Sequence, residues 1–171
     1  MSSTGLITLK FIGSREANRE ASSLLPEYAT LHSAGCDLKL QPLEEGHPKH
    51  SQLIRYWDEA TYQYSFEPGD RVALPTGVFL DVVVPLEPPY SLHLDVRPRS
   101  GNSLKGQYEV LLGTIDIDYA DEIMIMVHCL KPCKLSPGTK LAQLVGVLGF
   151  KLAGDIESKG DKRNGGFGST D

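Results

Sequence analysis

Glycine, proline, asparagine and aspartate interrupt this chain so often that no long amphipathic helix fits between them. Between the breaks lie short apolar or alternating runs: Leu6–Ile12, Cys36–Leu40, Arg71–Leu74, Val78–Val84, Ser91–Val96, Tyr108–Leu112, Ile123–Leu130 and Leu141–Phe150. Runs this short, bounded by turn formers, read as β-strands. Many of them in succession predict an all-β domain of the sandwich, jelly-roll or barrel kind. The one helix-like stretch, Ser14–Leu25, carries few apolar positions and is expected to form a surface turn.

A chain of 171 residues suffices for one domain with a real core. That domain is expected over 1–150, followed over 151–171 by a glycine-rich arm. Within the domain, Gln41–Ser65 is less regular and holds the single tryptophan, Trp57, with His47 and His50. Two histidines without cysteines or matching carboxylates make a weak metal site. A surface hairpin whose Trp57, Tyr62 and Tyr64 cover one side of the sheet fits better. The segment also offers a surface to a protein partner.

The net charge of −5 argues against nucleic-acid binding, because phosphate backbones attract basic surfaces. An acidic protein that handles phosphate needs a local basic pocket or a metal. Three cysteines, Cys36, Cys129 and Cys133, are an odd set without metal spacing, as expected of a reducing compartment without disulfides. No apolar run is long enough to span a bilayer, so the chain is expected to be soluble, off the membrane and intracellular. The cytoplasm is the expected compartment, or the nucleus for a eukaryotic or viral chain.

Four strings carry chemistry. In "RPRSGNSLKG", Arg97–Gly106, a strand enters a turn with arginine, serine and glycine together, groups that fork and cradle phosphate oxygens. In "GTIDIDYADE", Gly113–Glu122, Asp116 and Asp118 alternate with isoleucines, which puts both on one side of a strand or hairpin beside Tyr119. Paired carboxylates next to an aromatic ring suit water activation beside a bound ring, although turn-forming aspartates explain the pattern equally well. In "SAGCDL", Ser33–Leu38, one aspartate follows a glycine at the start of a strand, and alone this says little. "KRNGGFGSTD", Lys162–Asp171, has the composition of a solvated tail, yet its bare backbone N–H groups and two cations also suit phosphate.

Taken together, "SAGCDL", "RPRSG", "GTIDIDY", "PGTKLAQLV" and "GGFGST" stand in the order and approximate spacing of the five motifs of the trimeric deoxyuridine triphosphate nucleotidohydrolases, the dUTPases. The chain resembles that family from about Leu6 to Asp171. The resemblance implies a jelly-roll-like β-barrel subunit in a homotrimer with an exchanged C-terminal arm, each active site drawing on all three chains. It implies hydrolysis of dUTP to dUMP and pyrophosphate with Mg²⁺, held mainly by the triphosphate and water rather than by protein ligands. By motif, Asp116 matches the water-activating aspartate and Tyr119 the tyrosine that stacks on deoxyribose. Backbone groups of Val110–Gly113, with Ile115 beside them, match the uracil-reading stretch. Arg99, Ser100 and Gly101 match the phosphate motif, Gln143 the glutamine near the α-phosphate, and Asp37 a supporting aspartate. Phe167 would stack on uracil, with Gly168, Ser169 and Thr170 on the phosphates.

Three positions depart from the family pattern. Lys162 stands where the last motif has arginine, and Arg163 follows one place later, where glycine is expected. Asp121 stands where a glycine is usual, which costs on the order of 1 kcal/mol if positive φ is required there. Two rivals share the resemblance. A dCTP deaminase needs a glutamate ten residues after Asp116, and this chain has Met126, which cannot carry protons. A catalytically impaired relative would act as a regulatory or binding partner, with Gln41–Ser65 as its surface.

Overall fold

The computed structural model describes residues 9–12, 25–82 and 90–152. The turn expected over Ser14–Leu25 (save its last residue) and the motif residues after position 152 lie outside them, including Lys162, Arg163, Phe167, Gly168, Ser169 and Thr170. The strands are β1 (Leu9–Ile12), β2 (Glu27–Tyr28), β3 (Cys36–Lys39), β4 (Trp57–Asp58), β5 (Gln63–Phe66), β6 (Arg71–Leu74) and β7 (Phe79–Val82). They continue with β8 (Tyr90–Pro98), β9 (Tyr108–Val110), β10 (Gly113–Asp116), β11 (Ile125–Cys129), β12 (Cys133–Leu135) and β13 (Lys140–Phe150). Two short helices interrupt them, α1 (His50–Leu53), which runs into a 3-10 turn at Ile54–Tyr56, and α2 (Ser100–Lys105). Each of the eight runs read from the sequence holds one strand. None of the described helices is long and apolar enough to cross a membrane.

All pairings among the described strands are antiparallel. The largest sheet has the order β10-β8-β13-β3-β2, and two three-stranded sheets run β6-β11-β9 and β12-β5-β4. A two-stranded ribbon, β1-β7, completes the set, so the described strands form four separate sheets rather than a closed barrel. Period-two alternation explains the core. Leu38, Leu94, Val96, Ile115 and Leu144 point from the large sheet into one cluster with Leu74, Ile125 and Val127 from the second sheet and Tyr64 and Phe66 from the third. The opposite face of the large sheet carries His93, Asp95, Arg97, Thr114, Asp116, Gln143 and Asp37.

The Gln41–Ser65 segment is built into the molecule. Its hairpin, β4–β5, is extended by β12 through Cys133 opposite Phe66 and Leu135 opposite Tyr64. Trp57 and Tyr64 are buried with ring centroids 4.8 Å apart, whereas Tyr62 is half exposed at a backbone φ of 54° in the turn. The predicted surface hairpin is therefore a hairpin with an aromatic interior. The sequence marks the hairpin but not the bounds of its strands, because strands this short depend on the partner they pair with rather than on their own propensity.

Candidate active site

Asp37 is the electrostatic centre of one end of the large sheet. Its carboxylate is nearly buried, with a side chain 8% exposed, and it meets Nε of Arg99 at 2.8 Å and Nζ of Lys140 at 3.0 Å. A second guanidinium nitrogen of Arg99 donates to the Lys140 carbonyl at 3.1 Å. Two cations on one carboxylate offset its desolvation and hold Arg99 in a single orientation. Arg99 is the residue just before α2, so the same contact sets where that helix begins. The turn expected after Arg99 is this helix, which ends at Gly106 in the left-handed conformation, φ 61°. Ser100 and Gly101 occupy its exposed first turn. Asn102 fastens the helix by donating from its side-chain amide to the carbonyls of Lys140 and Leu141, each at 3.0 Å.

Gln143 lies beside this group, opposite Asp37 on one flank and Arg97 on the other. Its amide nitrogen donates to the Pro98 carbonyl at 3.0 Å. Gly35 explains the glycine of "SAGCDL". A Cβ there would stand 2.9 Å from Oε1 of Gln143, 2.9 Å from a methyl of Val145 and 3.2 Å from the Leu144 carbonyl. A side chain at 35 fits only if the Gln143 and Val145 side chains shift.

Asp116 ends β10 opposite His93, which is itself opposite Val147 of β13. Val147 and Gln143 are four positions apart on that strand. Asp116 is thus displaced from Gln143 by about 13 Å along the strands and about 10 Å across them. Within one chain, Asp37, Arg99, Ser100, Gly101 and Gln143 come together, while Asp116 and Tyr119 form a second group. The strand stops at Asp116, where the Tyr119 N–H donates to the Asp116 carbonyl at 3.0 Å and closes a turn. Asp118 falls in that turn, so the two aspartates do not share a strand face, and of the two readings of the pattern the turn-forming one holds for Asp118. Turn geometry overrides the period once the ladder ends.

Tyr119 is buried, 9% exposed, and its hydroxyl donates to the Glu122 carbonyl at 3.3 Å. Asp121 does not take positive φ; Tyr62 is the one non-glycine residue that does so among those described. The backbone cost expected of Asp121 therefore does not arise. In the Val110–Gly113 stretch, Val110 and Gly113 are buried, and the Leu111 N–H is committed to the Met126 carbonyl at 2.9 Å. Ile115 points into the core. A Cβ at Gly113 would meet the terminal methyl of Met126 at 3.3 Å, so position 126 lies directly against this stretch. A methyl there transfers no proton.

Sequence reasoning missed Lys140, Asp95 and Glu122. Lys140 sits within "PGTKLAQLV" and was legible only as part of the motif. Asp95 is a buried polar residue on β8, bound by Arg97 Nη2 at 2.7 Å and by the Thr114 hydroxyl at 3.3 Å. His47 is no metal ligand: Nδ1 accepts the Lys49 N–H at 3.0 Å and Nε2 contacts Glu122 at 2.7 Å, which occupies both nitrogens. Among the described residues, no three His, Cys, Asp or Glu side chains converge to hold a metal ion.

The dUTPase family model matches residues 59–171. The chain belongs to the dUTPase family. Deoxyuridine 5'-triphosphate nucleotidohydrolase of Shewanella piezotolerans is 32% identical over 170 residues, covering 95% of this chain and 94% of its own. That of Treponema denticola is 32% identical over 155 residues, covering 86% and 91%. Among solved structures, dUTPase from Streptococcus mutans superposes with a TM-score of 0.54 at 22% identity, covering 86% of this chain and 98% of its own. A dUTPase from phage phi11 of S. aureus, described with a structural Mg(II) ion, gives a TM-score of 0.57 at 18% identity, covering 90% and 97%. The dUTPase likeness thus extends beyond the motifs to the β architecture that carries them.

Proposed function

We propose that the protein hydrolyses dUTP to dUMP and pyrophosphate. Family membership supports the reaction, and the observation that carries the site is the placement of Asp116 at the open end of β10, one turn before Tyr119. In this reading Asp116 accepts a proton from the attacking water. The water oxygen bonds to the α-phosphorus as the bond to the bridging oxygen breaks, and pyrophosphate leaves with that electron pair. Gln143 orients water and α-phosphate. Asp37 acts through Arg99 by holding the guanidinium towards the phosphates, beside Ser100 and Gly101. Tyr119 packs on the deoxyribose, and backbone groups of Val110–Gly113 read the base.

Magnesium fits this donor set through the substrate. Mg²⁺ prefers six oxygens and keeps several waters, so triphosphate oxygens suffice where no cage of carboxylates stands among the described residues. When bound, it neutralises charge on the triphosphate.

The separation of Asp116 from Asp37, Arg99 and Gln143 supports assembly. A nucleotide contacting both groups needs the second from another copy, and a homotrimer supplies it. Closure of each subunit into a jelly-roll barrel, and completion of the site by Lys162, Arg163, Phe167, Gly168, Ser169 and Thr170 from a neighbouring chain, belong to the same reading. Sedimentation under reducing conditions should report a species near three times 18.7 kDa.

The deciding assay measures pyrophosphate released from dUTP alongside ammonia released from dCTP. Pyrophosphate from dUTP alone is expected. Deamination of dCTP, or no turnover with nucleotide still bound, would replace this reading with one of its two rivals.

A further inference from the structure

Glu122 joins three parts of the chain, and one of its oxygens is taken by a histidine from the Gln41–Ser65 segment. Oε1 accepts the N–H groups of Thr76 at 2.8 Å and Gly77 at 2.6 Å. Oε2 meets Nε2 of His47 at 2.7 Å, with the two side chains 12% and 11% exposed. Around this carboxylate the backbone is zipped: the Ile123 N–H donates to the Val78 carbonyl at 2.8 Å, and the Thr76 hydroxyl donates to the Ile123 carbonyl.

The hydrogen bonds assign the histidine tautomer. The Lys49 N–H donates to Nδ1 of His47, so that nitrogen carries no proton and the ring proton sits on Nε2, facing Glu122. His47 is a fixed donor. On its other side Glu122 accepts the Tyr119 hydroxyl through its carbonyl, and Tyr119 closes its turn on Asp116. A continuous set of contacts therefore runs from His47 through Glu122 to Tyr119.

We propose that His47 is a positioning residue for the nucleotide pocket: by holding Glu122 it fixes Tyr119 and so sharpens selection of deoxyribose over ribose. This rests on the reading of Tyr119 as the sugar contact. It gives the Gln41–Ser65 segment a task that the five motifs leave unassigned, the outer support of the pocket. A carboxylate held by two backbone N–H groups alone keeps the turn folded but frees its second oxygen. The tyrosine then gains latitude, and sugar packing loosens while Asp116 keeps its place on β10.

Steady-state kinetics with dUTP and UTP tests this on the full chain and on His47→Ala, His47→Gln and Glu122→Gln. For His47→Ala the KM for dUTP should rise ~5–10-fold with kcat changed less than about twofold, and the dUTP-to-UTP ratio of kcat/KM should narrow ~10-fold. His47→Gln places an amide donor at the same number of bonds from the backbone and should restore most of that ratio. Glu122→Gln must turn its NH₂ either to His47 or to the Thr76 and Gly77 N–H groups, donor against donor, and should narrow the ratio as His47→Ala does. Should His47→Ala fail to fold, the contrast between His47→Gln and Glu122→Gln decides. A dUTP-to-UTP ratio unchanged in Glu122→Gln, or a lower melting temperature with an unchanged ratio in His47→Ala, would overturn the positioning role. Absence of dUTP turnover in the unaltered chain would instead overturn the function on which it rests.

Discussion

Nε of Arg99 lies 2.8 Å from Oδ1 of Asp37, joining the start of α2 to a strand residue 62 positions earlier. Lys140 occupies the other carboxylate oxygen at 3.0 Å, so Asp37 is neutralised from both sides. Replacing it leaves two cations facing a buried site without a counter-charge. Asp37→Asn should destabilise the fold by about 1–3 kcal/mol, below the cost of breaking a fully buried pair because both cations keep some solvent. Urea unfolding measures this, and an unchanged midpoint would show that the network adds no stability.

Gly35 should accept a side chain only at a cost. A Cβ there stands 2.9 Å from Oε1 of Gln143 and 2.9 Å from a methyl of Val145, so Gly35→Ala has to displace both side chains, with the Leu144 carbonyl at 3.2 Å leaving little room. A ~10-fold loss of kcat/KM for dUTP is expected from the misplaced amide. Activity equal to that of the unaltered chain would remove Gln143 from the reacting centre.

Burial pushes the Cys129 thiol up from about 9 to about 12, with Cys133 beside it adding to the shift. The folded state keeps this thiol protonated where the unfolded chain ionises it. The resulting stability is complete below about pH 9 and is lost as pH rises towards about 12. Stability should therefore fall through that alkaline window. All three cysteines are free and buried, so at pH 8 none should react with a thiol reagent until the protein unfolds. Fast labelling of the folded protein would contradict their placement.

Asp116→Asn keeps the size and the fold but removes the carboxylate proposed to take the water proton, so kcat should drop ~10²-fold or more with little change in nucleotide affinity. Pyrophosphate release and equilibrium binding separate the two quantities. Near-normal turnover would assign the proton to another group.

The two cations of "KRNGGFGSTD" should not contribute equally. Arginine forks two phosphate oxygens where lysine offers a point charge, and the glycines flanking Phe167 make a one-residue shift inexpensive. Arg163→Ala should therefore cost more kcat/KM than Lys162→Ala, and removing 160–171 should abolish most turnover while the proposed trimer stays folded. A larger loss in Lys162→Ala would restore the family register.

Much of this protein is written locally. The strands β3, β6, β8, β11 and β13 were legible because alternation and turn residues are properties of adjacent positions, and the five motifs were legible as strings. The conformation of Asp121 and the depth of Trp57 and Tyr64 were not, and alternation left Asp118 open between a strand and a turn. Each depends on where a ladder ends or on what a strand packs against, which neighbouring residues do not encode. The same holds for the site. Asp37 says little in its own string and becomes the partner of Arg99 and Lys140 only when β3 and β8 flank β13. His47, read as half of a weak metal pair, finds Glu122 across 75 residues of sequence. Residue chemistry and periodicity determined which groups this protein can use. Sheet order decided which of them meet, because antiparallel pairing brings together side chains whose separation along the chain carries no local signal.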